Sequence, residues 1–290
     1  VLPSHARWPQ ALSQLRDPPL SLAISGELPE LTHAVAIVGT REPDALAGQF
    51  AHTLARELAE AGCPIISGGA LGIDSAAHRG ALDGGGFTVA ILATGLERPY
   101  PADNGQLFRQ VVERGALLSE SLDDVPGYAS AFLARNRLIA ALASVVVVVQ
   151  APFKSGAMST AKHALKLGRP LLAVPYAPWE SRGGGNLTLL AAGARVCRTS
   201  SDVLSLAAPS GLPIARSSRK GPRKAESYPG LDEDERGVLR ALSTAVLSAD
   251  ELCDRTGLSA PRVQRALLML LLSKVIQEVG CGRYARDDRF

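Results

Sequence analysis

The sequence predicts an α/β fold: an extended Rossmann-like, doubly wound, mostly parallel sheet, followed by a small C-terminal winged-helix domain. Three observations carry this. From Ala34 onward, short apolar runs alternate with segments of helical periodicity, the pattern of strand–crossover–strand units. Val145 to Val149 is an unbroken valine run of strand length, which marks a strand covered on both faces. Ser67-Gly68-Gly69-Ala70-Leu71-Gly72-Ile73-Asp74 turns the end of an apolar strand into a helix through glycines. Such a turn presents bare backbone and unpaired helix N–H groups, to which an anion is the natural ligand. A mononucleotide, a dinucleotide or a nucleic-acid backbone fits that description, and so does an empty tight connection.

The elements follow in order. Ala34 to Gly39 reads as a strand, and Pro43 to Ala61 as a helix with Leu46, Phe50, Leu54 and Leu58 at four-residue spacing, ended by Gly62. Strand Ile65-Ile66, the glycine turn and a helix from Ile73 to about Leu82 come next. Strand Phe87 to Ala93, helix Gly105 to Arg114 and strand Ala116 to Leu118 follow. An irregular stretch with Pro126 and Gly127 leads to helix Phe132 to Ala143, strand Ser144 to Gln150, helix Gly156 to Leu167, strand Pro170 to Val174 and a last helix over about Leu187 to Ala192. Right-handed crossovers between so many apolar strands cover both faces of a parallel sheet, whose ligands sit at the carboxyl ends of the strands.

The flanking segments differ in composition. Residues 1–33 hold five prolines and short apolar pieces, and are expected to form an arm packed on the sheet domain of 34–208. Residues 209–230, rich in Ser, Pro, Gly, Arg and Lys, read as a basic flexible linker. In 231–290, Asp232 to Leu242, Ala249 to Thr256 and Ser259 to Leu272 read as helices, and Lys274 to Val279 with Arg283 to Ala285 as a hairpin. Ser248 and Glu251 form a capping box there, and Ser259 before Pro261 suits a helix start. The third helix of a winged helix commonly faces DNA, which would bring Arg262 and Arg265 to phosphates; contact with a protein is the equal alternative.

Composition bounds the function. Hydrophobic residues make up 46% and charged residues 20% of the 290, an ordinary globular balance, and no apolar run is long enough to span a bilayer. The start, Val1-Leu2-Pro3-Ser4-His5, lacks the charge-then-apolar pattern of a secretory signal. Cys63, Cys197, Cys253 and Cys281 are far apart, with no C-x-x-C pair, so neither metal nor disulfide is expected and a reducing cytoplasm is. The net charge of +3 is concentrated. Residues 34–208 hold 15 basic and 14 acidic side chains, 209–230 five and one, 231–290 nine and ten. A nucleic-acid site on the body should therefore be a local pocket.

The readable strand ends carry polar or glycine residues that would share one rim: Gly39-Thr40-Arg41, the glycine turn, Thr94-Gly95, and Gln150 to Thr160 with Lys154, Ser155, Gly156 and Ser159. Helix N-termini at Ile73 and Gly156, hydroxyls at Ser155, Ser159 and Thr160, and cations at Arg41 and Lys154 would form a phosphate cradle. Arg135-Asn136-Arg137 opens a helix after Phe132; it would pair with phosphate or a base edge while Phe132 offers a stacking face, or an arginine would bond sheet carbonyls or a carboxylate. Arg135, Arg137 and Lys154 are expected to be replaceable together without unfolding. Asp74 and His78, four apart, form either a carboxylate-oriented imidazole for base catalysis or, the commoner arrangement, interior hydrogen bonds holding the turn. No nucleophile spacing stands beside them, so no catalytic residue is assigned.

Taken in order, Val38-Gly39-Thr40-Arg41, the glycine motif with Ala77-His78, Tyr100-Pro101 with Asn104, Leu118-Ser119-Glu120, Phe132 with Arg135-Asn136-Arg137, Ser155-Gly156 with Thr160-Ala161, and Ala173-Val174-Pro175 with Gly185-Asn186 resemble the DNA-processing protein A (DprA/Smf) family over about residues 6–205. The trailing winged helix is similar to that of many members. The resemblance implies a non-enzymatic, cytoplasmic, usually dimeric protein without cofactor. It would bind single-stranded DNA, protect incoming strands and load the RecA recombinase during natural transformation. Carried over by motif, its DNA pocket includes Gly68, Gly69, Phe132, Arg135, Asn136, Arg137, Lys154, Ser155 and Gly156; Arg41, Ser67 and Thr160 on the same rim complete the candidate set. Leu71 and Gln150 stand where the family usually has a basic residue and a Glu, and the usual Pro before Arg-Asn-Arg is replaced near Leu133-Ala134. Arg41 or Lys154 would compensate at the pocket. Two alternatives remain. One is a nucleotide hydrolase of the related Lonely-guy group, whose catalytic Glu has no counterpart over Ser155 to Lys162. The other is a winged-helix transcription regulator, which would prefer duplex.

Overall fold

The computed structural model describes residues 1–5, 7–121, 128–207, 231–242, 247–273, 275–280 and 282–286. The linker expected over 209–230, the Pro126-Gly127 stretch, Lys274 and Cys281 lie outside the described residues. The chain divides into two compact units, Val1–Ser218 and Arg219–Phe290.

In the first unit the chain runs β1 (Ala23–Gly26), β2 (Val35–Val38), α1 (Ala45–Glu60), β3 (Ile65–Ser67), α2 (Ile73–Asp83), β4 (Thr88–Leu92), α3 (Gly105–Glu113), β5 (Gly115–Ser119), α4 (Ala129–Leu142), β6 (Val145–Val148), α5 (Gly156–Lys166), β7 (Leu171–Ala173), α6 (Gly184–Ala191), β8 (Arg195–Val196) and α7 (Ser200–Ala207). The strands form one sheet in the order β1-β5-β4-β3-β2-β6-β7-β8. All pairings are parallel except β1 on β5. This is the doubly wound, mostly parallel sheet that the sequence predicts.

Alternation of side chains along each strand divides the core between the two faces. Val35 and Ile37 of β2, with Val145 and Val147 of β6, pack against Leu54 and Leu58 of α1, Ala77 of α2 and Val203 of α7. Ala36 and Val38, with Val146 and Val148, pack instead against Leu138 of α4, Ala161 of α5 and Leu189 of α6. With both faces covered, β2 and β6 are fully buried, which is why they read as unbroken apolar runs.

The N-terminal segment is built into the sheet domain. Leu12 and Trp8 are buried in the core under α4, and β1 pairs with β5 as an antiparallel edge. Burying Leu12 contributes about 2 kcal/mol on transfer grounds. The structure adds two elements that the sequence does not predict, the two-residue β8, too short to show a period, and helix α7.

In the second unit α8 (Glu233–Leu242), β9 (Leu247–Ser248), α9 (Ala249–Thr256), α10 (Ala260–Leu272), β10 (Ile276–Gly280) and β11 (Arg283–Arg286) surround Val238, Leu252, Val263, Leu267 and Ile276. The strands pair β10-β11-β9, all antiparallel. Ser248 and Glu251 close the capping box at α9. Three helices and a small antiparallel wing make the expected winged helix.

Candidate nucleic-acid interface

The strand order fixes where a ligand goes. After β2 the chain builds β3, β4 and β5 on one side, then returns with β6 on the other, so the connections leaving β2 and β6 diverge and open a crevice at their carboxyl ends. That crevice is a cleft of about 380 Å³. Gly39, Thr40 and Arg41 line it after β2, Phe132, Arg135 and Asn136 from α4, and Lys154, Ser155, Gly156 and Thr160 at the start of α5.

The glycine turn forms one wall. Gly72 takes φ +81°, and a Cβ there would lie 2.5 Å from the Thr40 carbonyl oxygen; the Ile73 N–H donates to that same oxygen at 3.1 Å. Only glycine lets α2 begin this close to the β2 loop. Behind the turn lies a buried pair. Arg135 Nη1 donates to the carbonyls of Gly68, at 2.6 Å, and Ile91, while Asp74 Oδ2 accepts from the N–H groups of Gly68 at 3.1 Å and Ala70 at 3.3 Å. Gly68 lies against both: an added Cβ would be 2.7 Å from Arg135 Nη2 and from Asp74 Oδ2. Burial pushes the Asp74 carboxyl up, opposed by the Arg135 charge. Burial likewise pulls Arg135 down to about 10. Asn104 Nδ2 holds the Gly69 carbonyl at 2.9 Å.

The opposite wall is open and basic. Ser155 stands at the N-cap of α5 in extended conformation with no side-chain cap bond, and α5 has no acidic residue in its first turn. Its first N–H groups thus remain donors with a partial positive field. Lys154 beside it is exposed. Asn136 Nδ2 donates to the Gly156 carbonyl at 3.1 Å, tying α4 to this helix start. Across the cleft the Arg41 guanidinium stacks 5.3 Å from the Phe132 ring centroid, and Tyr100 meets that ring edge-on at 5.7 Å. Leu71 is exposed beside Arg41, Tyr100 and Phe132, so the position where the resemblance calls for a cation adds apolar surface instead.

Four residues of the expected set do not line this cleft. Gly68 lines a small adjoining pocket with Arg41, Leu71 and Phe132. Ser67 is buried and donates to the Ile37 carbonyl at 2.7 Å. Gly69 lies over the Phe108 ring. Arg137 forms a two-pronged pair with Glu120, 2.6 Å on each prong, and donates to the Asp17 carbonyl at 3.1 Å. Both arginines of the motif thus have structural partners. The expectation that Arg135 can be replaced without harm to the fold is corrected: removing it leaves the Gly68 and Ile91 carbonyls without their buried donor, at about 1–3 kcal/mol for each unsatisfied group. Nor do Asp74 and His78 form a dyad, since His78 Nδ1 meets Thr88 Oγ1 at 2.7 Å. In the winged helix, Arg262 pairs with Asp234, and Arg265 with Asp232 at 2.6 Å. Sequence reasoning missed the contact between Gln150 and Asp44 that fixes the start of α1 to the end of β6; a buried amide just after a valine run was its only signal.

Fold and cleft together define a class: a doubly wound α/β protein with a crevice lined by Arg41, Lys154 and the start of α5 at its switch point, in one chain with a winged helix. A family model described as DNA recombination-mediator protein A matches residues 1–208, and one described as DprA winged helix domain matches residues 222–280. The chain belongs to the DNA recombination-mediator protein A, or DprA/Smf, family. The DNA processing protein DprA of Bacillus subtilis is 34% identical over 202 residues, 69% of this chain and 68% of its own length. A Mycobacterium tuberculosis relative, provisionally described as DNA processing protein DprA, is 39% identical over 238 residues, 82% of this chain and 60% of its own length. This chain therefore spans about three fifths of that relative. Among solved structures, DprA of Streptococcus pneumoniae superposes with a TM-score of 0.67 at 33% identity, covering 71% of this chain and 72% of that one. DprA of Helicobacter pylori, whose structure concerns its single-stranded DNA binding mode, gives 0.63 at 37%, covering 69% and 93%.

Proposed function

We propose that this protein binds single-stranded DNA in the switch-point cleft and acts, without catalysis of its own, as a mediator that protects incoming strands and passes them to RecA during natural transformation. The observation that carries the reading is the open wall at α5: uncapped helix N–H groups beside exposed Lys154, facing Arg41 stacked on Phe132. Such a wall suits phosphates and a neighbouring base together. Family membership and the Helicobacter pylori relative's DNA binding support the choice of ligand over a free nucleotide. So does the first turn of α5, where no carboxylate stands to serve a hydrolase. The reading includes a cytoplasmic location and a homodimer.

The test is a competition gel shift on the full chain with labelled oligo-dT against unlabelled oligo-dT and duplex of equal length. Single strand is expected to compete at least tenfold better, and Lys154→Ala with Arg41→Ala to weaken binding without lowering the melting temperature. Equal or stronger competition by duplex would favour a transcription regulator.

A further inference from the structure

Phe153 and Trp179 are the most exposed aromatic side chains among the described residues, at 66% and 87%. Neither lines the cleft just described, but both lie in connections that leave the carboxyl ends of neighbouring strands, β6 and β7. Phe153 adjoins Lys154 after β6, and Trp179 lies in the connection that leaves the carboxyl end of β7, the next strand in the sheet. Beneath Phe153 the backbone has been cleared. A Cβ on Gly184 would come within 2.4 Å of the Phe153 ring, one on Gly183 within 2.0 Å of the Tyr176 ring, and one on Gly185 within 2.6 Å of the Ala151 carbonyl oxygen. Gly183-Gly184-Gly185 is therefore a floor without side chains on which two rings rest. Phe153 is seated on backbone from one side and open to solvent on the other. Exposing that much aromatic surface does nothing for folding, whereas a ring fixed on one face and free on the other is what a base needs for stacking. The charges agree: exposed Lys154 adjoins Phe153 in the chain and lines the cleft, and exposed Arg182 stands between Trp179 and Gly183 in the chain.

Resting on the single-strand reading above, we infer that the DNA path continues out of the cleft over Phe153 and onto Trp179, each ring taking one unpaired base, with the phosphates following Lys154 and Arg182. A duplex keeps its base faces stacked inside and has nothing to offer these rings. The platform is sequence-tolerant, since every base has a π face.

The chain has two tryptophans, and Trp8 is buried at 4% exposure, so emission changes on binding report Trp179. The full chain would be titrated with oligo-dT of about 15 nucleotides and with an abasic strand of the same length, following Trp emission and the anisotropy of a labelled oligonucleotide. Oligo-dT should quench the emission and the abasic strand should not. Phe153→Leu and Trp179→Leu should each weaken oligo-dT binding about 5- to 100-fold and leave abasic binding unchanged, while Phe153→Trp retains affinity. Melting temperatures check that the variants fold. Tight oligo-dT binding with unquenched emission and Phe153→Leu within about twofold of the parent would overturn the platform and leave the cleft reading intact. Failure of any single strand to bind would overturn both.

Discussion

At the scale of single residues, burial decides which polar groups serve the fold and which are left for a ligand. Arg135 and Asp74 are spent on the carbonyls and N–H groups of the glycine turn, and Arg137 on Glu120; Arg41 and Lys154 remain exposed. His78 belongs with the first group. Thr88 Oγ1 donates to the Ile65 carbonyl at 3.0 Å, so it accepts from His78 Nδ1–H, leaving Nε2 buried without a partner. A proton on Nε2 would put an unsatisfied charge in the core. Desolvation, with the nearby Arg135 charge, accordingly pulls the His78 pKa down to about 3 from 6.5. The unfolded chain binds this proton below about pH 6.5 and the folded chain does not until about pH 3, so the contribution is intact above 6.5 and falls through that window as pH drops. The loss is about 1.4 kcal/mol per pH unit. Denaturant titrations at pH 7.5 and 5.5 should show about 1.4 kcal/mol more acid destabilisation in the parent than in His78→Gln. Equal differences would mean that His78 is protonated in the fold.

Among the elements, α10 occupies the place that would read DNA in many winged helices, but its surface argues otherwise. Arg262 and Arg265 are held by Asp234 and Asp232 of the α8 segment, and the exposed positions beyond them are Leu268, Met269 and Leu272. Releasing two arginines from carboxylates to reach phosphate exchanges one ion pair for another. Arg262→Ala with Arg265→Ala should therefore change the affinity for single strand and for duplex by less than about twofold; a tenfold loss on duplex would make α10 a DNA-reading helix. The elements also show what the sequence could convey. Valine runs and four-residue periodicity made β2, β6, α1 and α5 legible because those patterns arise from burial on one or both faces. The short strands β1 and β8 carried no such period; their pairing is set by the neighbour β5 or β7 rather than by their own residues. At the site, the rim loops and the start of α5 were readable from glycines and hydroxyls at strand ends. Whether an arginine faced inward was not, because Arg135 and Arg137 differ only in which way a helix turns them.

For the whole molecule, the charge distribution limits how DNA can be held. With 15 basic against 14 acidic residues over 34–208, the sheet unit has almost no general field to draw a polyanion, and several of its basic groups are already paired. Binding must rest on a few local phosphate contacts and on stacking. Each phosphate neutralised on a single strand contributes about −0.7 to the slope of log K against log salt. Arg41 and Lys154 in the cleft and Arg182 on the proposed path beyond it then give a slope of about −2, far shallower than that of a protein lined with cations. Anisotropy titrations of oligo-dT between about 50 and 300 mM NaCl should return that value, and Lys154→Ala should reduce its magnitude by about 0.7. The complex should also retain measurable affinity at the upper salt limit, because stacking releases no counterions. A steep slope of about −5 or beyond would place the main contacts outside the cleft, with the strongly basic 209–230 segment, five basic residues to one acidic, as the first place to look.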